Sequence, residues 1–385
     1  MDSPEAVSLN NMSEQRISIS TRNLLTIAAS GLLLVLLWQL RGLLLVLMIA
    51  VILAATLAPT VDSAQKLKIP RWLAVIMVYL GLIALLAGFG VLIGPTVAEQ
   101  IQRLIRKLPS YLEVLRSLTE NLAISLGLTD PESINPIRQL FDTQALTSWA
   151  IRSSQQLVVR SYGVTRGIVG SAISVILALV FSGYMLSGSE KLIRGLVSLF
   201  PQPWDERLAA QVHPVSKRMG SYIQGRVLVS GILGVAISVS LKFLGLAEFA
   251  LGLGVIAGFT NLIPFLGPIL GAIPALIVAI AQGGLTFFWV LLLFVIIQNV
   301  ETYVLDPLLV GNTVRVHPLY QLLAVVGGAQ VLGIIGALIV PPWIAGAAVL
   351  LENLYLKPKI LAEQQTAAIA SRSEEDTPSP VSMQS

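Results

Sequence analysis

Two apolar stretches in the C-terminal half, residues 250–282 and 319–351, limit what this chain can fold into more than any other feature. Each would be about 50 Å long as a straight helix, against a bilayer hydrocarbon core of about 30 Å. Both are interrupted by helix breakers. The first holds Asn261, Pro264, Gly267 and Pro268, and the second holds Gly327-Gly328 and Pro341-Pro342. Paired hydrophobic segments broken in this way read as discontinuous helices or re-entrant hairpins, the devices that place polar backbone at membrane depth.

The rest of the chain agrees with lipid as its solvent. Of its residues 55% are hydrophobic and 12% charged, where soluble domains carry about 25% charged residues. Mean hydropathy is +0.80. Further apolar segments fall at 24–40, 43–58, 72–97, 163–186, 227–246 and 285–305. With the two broken runs they make about eight, and the fold class is an all-α polytopic membrane protein. The first segment could be a signal peptide, but the tail before it is long and acidic, and a second apolar run follows at once. It reads as an uncleaved helix. Between 98 and 160 charges return at helical spacing (Arg103, Arg106, Lys107, Glu113, Arg116, Glu120), with prolines at 109, 131 and 136. This predicts amphipathic helices outside the bilayer or along its surface. The expected organisation is a tail (1–22), three spans (23–97), the amphipathic segment (98–160), a core with broken helices (161–358) and a disordered tail (359–385).

Lysine and arginine set the expected orientation. Lys66, Lys68 and Arg71 follow the second span, and Lys191, Arg194, Arg207, Lys217 and Arg218 follow the fourth. Both loops are therefore expected in the cytoplasm, with both termini, and segment 98–160 outside. The expected location is the inner (plasma) membrane. Single crossing by both long runs would put the 307–318 loop outside, whereas two re-entrant hairpins would put it inside.

Several function classes drop out. The chain has no cysteine and two histidines far apart, His213 and His317, so no thiolate or histidine-rich metal centre is expected. No Gly-x-x-x-x-Gly-Lys-Ser/Thr loop, nucleophile motif or dinucleotide fingerprint occurs. Gly88-x-Gly90-x-x-x-Gly94 and Gly252-x-Gly254-x-x-x-Gly258 lie inside apolar spans, where small residues at every fourth position serve helix packing. The net charge of +4 is spread out, with no basic run dense enough for nucleic acid. An enzyme is not expected, nor a cofactor beyond a coupling proton or Na⁺.

Ionisable side chains within spans cost at least about 2.5–3.5 kcal/mol and mark candidate sites. Glu301 is the foremost, with Gln298 one turn before it on the same face. A carboxylate in an apolar site can bind and release protons, and so couple proton flow to transport. Asp306, before Pro307, serves equally as a coupling group or a helix stop. The break with Asn261, Pro264, Gly267 and Pro268 would free carbonyls for cations and amides for polar groups. The bland readings are a passive kink, and a structural pairing of Glu301 with Arg226. His317-Pro318 is a loop histidine, more often structural than titrating.

The ordered motifs Tyr222-Ile-Gln-Gly225, Asn261-Leu-Ile-Pro-Phe-Leu-Gly-Pro-Ile-Leu-Gly-Ala-Ile-Pro274, Gln298-Asn-Val-Glu301, Asp306-Pro307, Gly311, His317-Pro318 and the glycine-broken run 327–341 resemble the autoinducer-2 exporter family over roughly residues 22–358. One departure is Gly225-Arg226, where the family usually has Gly-Gln; it places a fixed positive charge near the start of a span. The resemblance implies an eight-span-like fold with an outer helical segment, often a homo-oligomer. It implies export of a small polar solute such as autoinducer-2, with monovalent cation/proton antiport as the alternative. A non-transporting membrane scaffold is the reading from another class.

Overall fold

The computed structural model describes residues 21–125, 165–310 and 317–375. The first tail, the amphipathic segment beyond 125, residues 311–316 and the end of the second tail lie outside the described residues. Those described are helices joined by short turns, with no strand among them. Five helices are long and apolar enough to cross a membrane, or six if one bent pair is a single span. This is an all-α polytopic membrane protein.

The chain divides into two units, residues 1–47 and 48–385. The first contains α1 (Thr21–Gln39) and the start of α2 (Arg41–Gln65). There the Arg41 guanidinium lies over the Trp38 ring at 4.8 Å.

In the second unit α2 continues, followed by α3 (Arg71–Ser125), α4 (Thr165–Val197) and α5 (Trp204–Phe243). The change of character at residue 98 does not break α3, which runs on for 55 residues through Pro95 and Pro109. α4 bends by 89° at Gly188, where the apolar run gives way to charge. In α5 the amphipathic stretch and the following span fuse into one helix of 40 residues. Arg226 sits in the interior of this helix, buried.

Then come two hairpins. α6 (Ala250–Thr260) has 11 residues, about 16 Å, too short to cross the core. It turns at 261–265 into α7 (Leu266–Gln282). Phe265 sits at φ 64°, strained for a residue with a side chain. The two arms touch backbone to backbone. A Cβ built on Gly271 would lie 2.8 Å from the Ala257 Cα, and one on Gly267 2.6 Å from the Asn261 Cα.

The second hairpin is α9 (Pro318–Leu351), which breaks at Gly333 (φ 68°, ψ −156°), a conformation open to glycine alone at low cost. Residues 328 and 336 would be about 12 Å apart in a continuous helix. Instead a Cβ on either glycine would run into the carbonyl of the other. α9 is a hairpin folded back on itself. The expected breaker Pro341-Pro342 lies buried within its second arm, and the break falls at a glycine because a proline cannot take positive φ. Between the hairpins run α8 (Gly284–Val300) and a π-helical segment, Glu301–Val310. After α9 come a short π turn (Glu352–Leu356) and α10 (Lys357–Glu375), so helix continues where the sequence suggested a disordered tail.

The hairpins enter from opposite ends of α5. The first opens beside the charged part of α3. There the Gly252 N–H donates to Gln100 Oε1 at 2.7 Å, capping α6 from another helix, and Lys107 pairs with Glu248 at 2.8 Å. The second opens beside the N-terminal half of α5, where Asn353 donates to Gln211 at 2.6 Å and Arg218 pairs with Glu352 at 3.0 Å. Arg218 and the C-terminal end of α5 are about 37 Å apart along the helix, more than the apolar core. Gly254 and Gly258 let α6 meet the α5 backbone at Gly234 and Ser230, whereas Gly88, Gly90 and Gly94 face open space.

Close approach at the second hairpin predicts a contrast between two of its helical glycines, one on each arm. Gly336→Val should lower stability by about 1–3 kcal/mol, as overpacking does. Gly327→Ala, with nothing within 4 Å of its Cβ, should leave stability unchanged or slightly raised. Thermal unfolding in detergent would check both.

Candidate functional site

α5 presents Tyr222, Arg226 and Ser230 along one face at four-residue spacing, all buried. Gly225 brings that face against the π segment: a Cβ there would lie 2.6 Å from the Leu309 carbonyl and 3.0 Å from the Val310 Cα. Any larger residue would push the two apart.

The π segment supplies two carboxylates. In an α-helix, residues five apart point to different sides. A π-helix bonds i to i+5, which brings such a pair toward one side. Glu301 and Asp306 are five apart and both reach the same Arg226 nitrogen. Nη1 lies 2.9 Å from Glu301 Oε1 and 3.4 Å from Asp306 Oδ1. Glu301 is 3% exposed and Arg226 5%, while the Asp306 side chain is 40% exposed. The tip of the first hairpin completes the cluster, because Asn261 Nδ2 donates to Glu301 Oε1 at 3.1 Å and Asn261 is itself 3% exposed. One carboxylate oxygen thus ties together α5, the hairpin tip and the π segment. With both acids ionised the cluster carries one positive and two negative charges.

Beside Glu301 is a cavity of about 20 Å³, bounded by Asn261, Pro268, Gln298 and Glu301 with apolar side chains of α5, α6 and α8. That is room for about one water-sized guest. Asn261 uses its amide nitrogen on Glu301, and Gln298 directs its own to Thr302 Oγ1 at 3.3 Å. Both therefore keep a carbonyl oxygen as acceptor. With the Glu301 carboxylate these are hard oxygen donors suited to a proton-bearing water or a monovalent cation. Among the described residues no group of three His, Cys, Asp or Glu side chains converges.

The structure thus gathers Asn261, Pro268, Gln298, Glu301, Asp306 and Arg226, and gives the rest of the sequence candidates other places. Pro264 and Gly267 shape the turn beneath Asn261, with Gly267 pressed on the Thr260 carbonyl. His317 is exposed and stands apart as the cap of α9, its Nδ1 accepting the Leu319 N–H at 3.2 Å. Sequence reasoning missed Ser230, whose buried hydroxyl has no partner among the described residues, and the Gln321–Tyr222 bond at 3.2 Å that links the second hairpin to the same face of α5. The i, i+4, i+8 spacing from Tyr222 was the signal for Ser230. Nothing local signals Gln321.

Residues 27–356 match the family described as AI-2E family transporter. The chain belongs to this family. It is 31% identical over 301 residues to "Putative transport protein YueF" of Bacillus subtilis (strain 168), covering 77% of this chain and 79% of that protein. It is 29% identical over 292 residues to "Putative permease PerM" of Escherichia coli (strain K12), covering 74% and 80% respectively. As a member of the AI-2E family it is a multi-pass membrane protein of a transporter and permease class, and its relatives are not named as enzymes.

For this transporter the ion pair predicts a non-additive pattern. Arg226→Met leaves Glu301 buried without its cation and should cost about 3–5 kcal/mol. Adding Glu301→Gln should recover much of that loss, and Asp306→Asn, half in the open, should cost under about 1 kcal/mol. A double-mutant cycle read by thermal unfolding checks all three.

Proposed function

We propose that this AI-2E family member is a secondary transporter that exports a small solute at the expense of an ion gradient, with Glu301 as the coupling carboxylate. The observation that carries this reading is Glu301 itself, buried between Arg226 and the Asn261 hairpin tip beside a cavity sized for one small guest. Protonation of Glu301 removes the charge that holds Arg226, and weakens the tie between the first hairpin, α5 and the π segment. Two hairpins entering from opposite ends of α5 are segments short enough to move separately, which alternating access requires. The family description points to a polar solute of the autoinducer-2 kind. The lysine- and arginine-rich loops support termini in the cytoplasm, and the helical architecture supports residence in the inner membrane. Membership of the family also suggests a homo-oligomer.

The small cavity favours a second reading, monovalent cation/proton antiport. Its oxygen donors would accept Na⁺, Li⁺ or K⁺ when Glu301 is ionised, and a proton would displace the ion.

A pH-dye assay in inside-out vesicles separates the readings. Addition of Na⁺, Li⁺ or K⁺ should change internal pH in the native protein and not in Glu301→Gln if antiport is the activity. No cation response, together with solute efflux that Glu301→Gln abolishes, assigns proton-coupled export. Efflux and pH response both unchanged by Glu301→Gln would refute the coupling role, and the absence of both in the native protein would favour a scaffold.

A further inference from the structure

Arg226 also lines a second cavity, of about 370 Å³, in whose wall Glu301 has no part. It lies where the two hairpin tips approach α2 and α5. Leu262 comes from the first tip, Ile335 and Leu338 from the second, Ile52 from α2 and Val227 from α5. The volume is in the range of small-molecule sites. Its walls are aliphatic except for Tyr222 and Arg226.

These two polar groups define what the chamber can accept. The Tyr222 hydroxyl is already met by Gln321. Arg226 lines the chamber while its Nη1 serves two carboxylates; its Nε has no partner among the described residues but is buried away from the cavity. A guanidinium donates and never accepts, so a polar head that meets Arg226 from the chamber must be an acceptor. A hydroxyl-rich solute would shed water at each hydroxyl and find almost no replacement on these walls. A hydrocarbon body loses nothing by entering, and aliphatic cavities stay dry and take apolar guests.

We propose that this chamber binds a single-headed amphiphile, its hydrocarbon body between the hairpin tips, α2 and α5, and an acceptor head such as a carboxylate on Arg226. The head competes with Glu301 and Asp306 for one guanidinium, which links occupancy of the chamber to the coupling cluster. The inference rests on the transport reading only through that shared arginine. A free amphiphile in transit and the acyl chain of a bilayer lipid offer the same chemistry.

The full-length protein in phosphatidylcholine nanodiscs, photolabelled with decanoic acid bearing a chain diazirine and mapped by peptide mass spectrometry, provides the test. Adducts should fall on chamber residues and be displaced by unlabelled decanoate, but not by decylammonium of equal length. Val227→Trp and Ile335→Trp, which fill the chamber from two separate walls, should each suppress labelling while the protein remains monodisperse. Arg226→Met combined with Glu301→Gln, the pair that restores stability, should weaken displacement by decanoate about tenfold, the worth of a hydrogen bond to a charged group, and retain displacement by decanol. A chain-labelled phosphatidylcholine that decanoate displaces from the chamber identifies a free amphiphile as occupant, and one that resists identifies a lipid chain. Either result keeps a hydrocarbon body in the chamber. Adducts confined to the lipid-facing surface, or equal displacement by decylammonium, would overturn the proposal. Because labelling is read without an ion gradient, its loss is independent of any failure of coupled transport.

Discussion

The buried pair of Arg226 and Glu301, 2.9 Å apart, is the constraint from which the core of this protein follows. Neither charge is tolerable alone at membrane depth, where the cost of an unpaired ion is several kcal/mol by the lowest estimates. To bring them together, α5 and the π segment must approach to backbone contact, which Gly225 permits. The π geometry adds Asp306 to the same nitrogen. Asn261 then fixes the hairpin tip to the pair. Remove the pair and there is no electrostatic reason for three separate segments to converge.

A second constraint is length. The α6 arm of 11 residues cannot cross the bilayer, so its turn must lie inside the protein, where irregular backbone is tolerated only if buried or beside a cavity. The second hairpin meets the same demand from the other end of α5. Two tips thus meet at the large aliphatic cavity, lined by Leu262, Ile335 and Leu338, while Asn261 of the first tip also lines a small cavity with Glu301. The two environments meet at one ion pair, Glu301 lining the small cavity and Arg226 the large one. Charged groups at the outer ends, such as Lys107–Glu248 and Arg218–Glu352, hold the hairpin mouths instead.

Membrane residence, the helical class and the broken character of both long runs were legible in residue order, because hydropathy and Gly/Pro placement are local properties. Glu301, Asn261 and Gln298 stood out for the same reason, as polar groups in apolar runs. Three things were not legible. The position of Arg226 in the interior of a helix depends on α5 being one helix of 40 residues, whereas hydropathy shows only the segment 227–246 that begins beside it. The alignment of Glu301 with Asp306 depends on a π register that 3.6-residue periodicity hides. The true break of α9 at Gly333 was masked by the more conspicuous Pro341-Pro342, which the helix accommodates.

By itself the sequence determined that this chain must live in lipid, that its C-terminal half cannot be a set of plain spans, and which few polar residues would need partners. Each follows from the free energy of moving a local group out of water. The tertiary structure alone decided who those partners are. Asn261, Arg226 and Glu301 are far apart in the chain, and their meeting is set by backbone contacts between helices that no single segment encodes. The aliphatic chamber is likewise a property of four segments at once, a space that exists only where their surfaces fail to fill it.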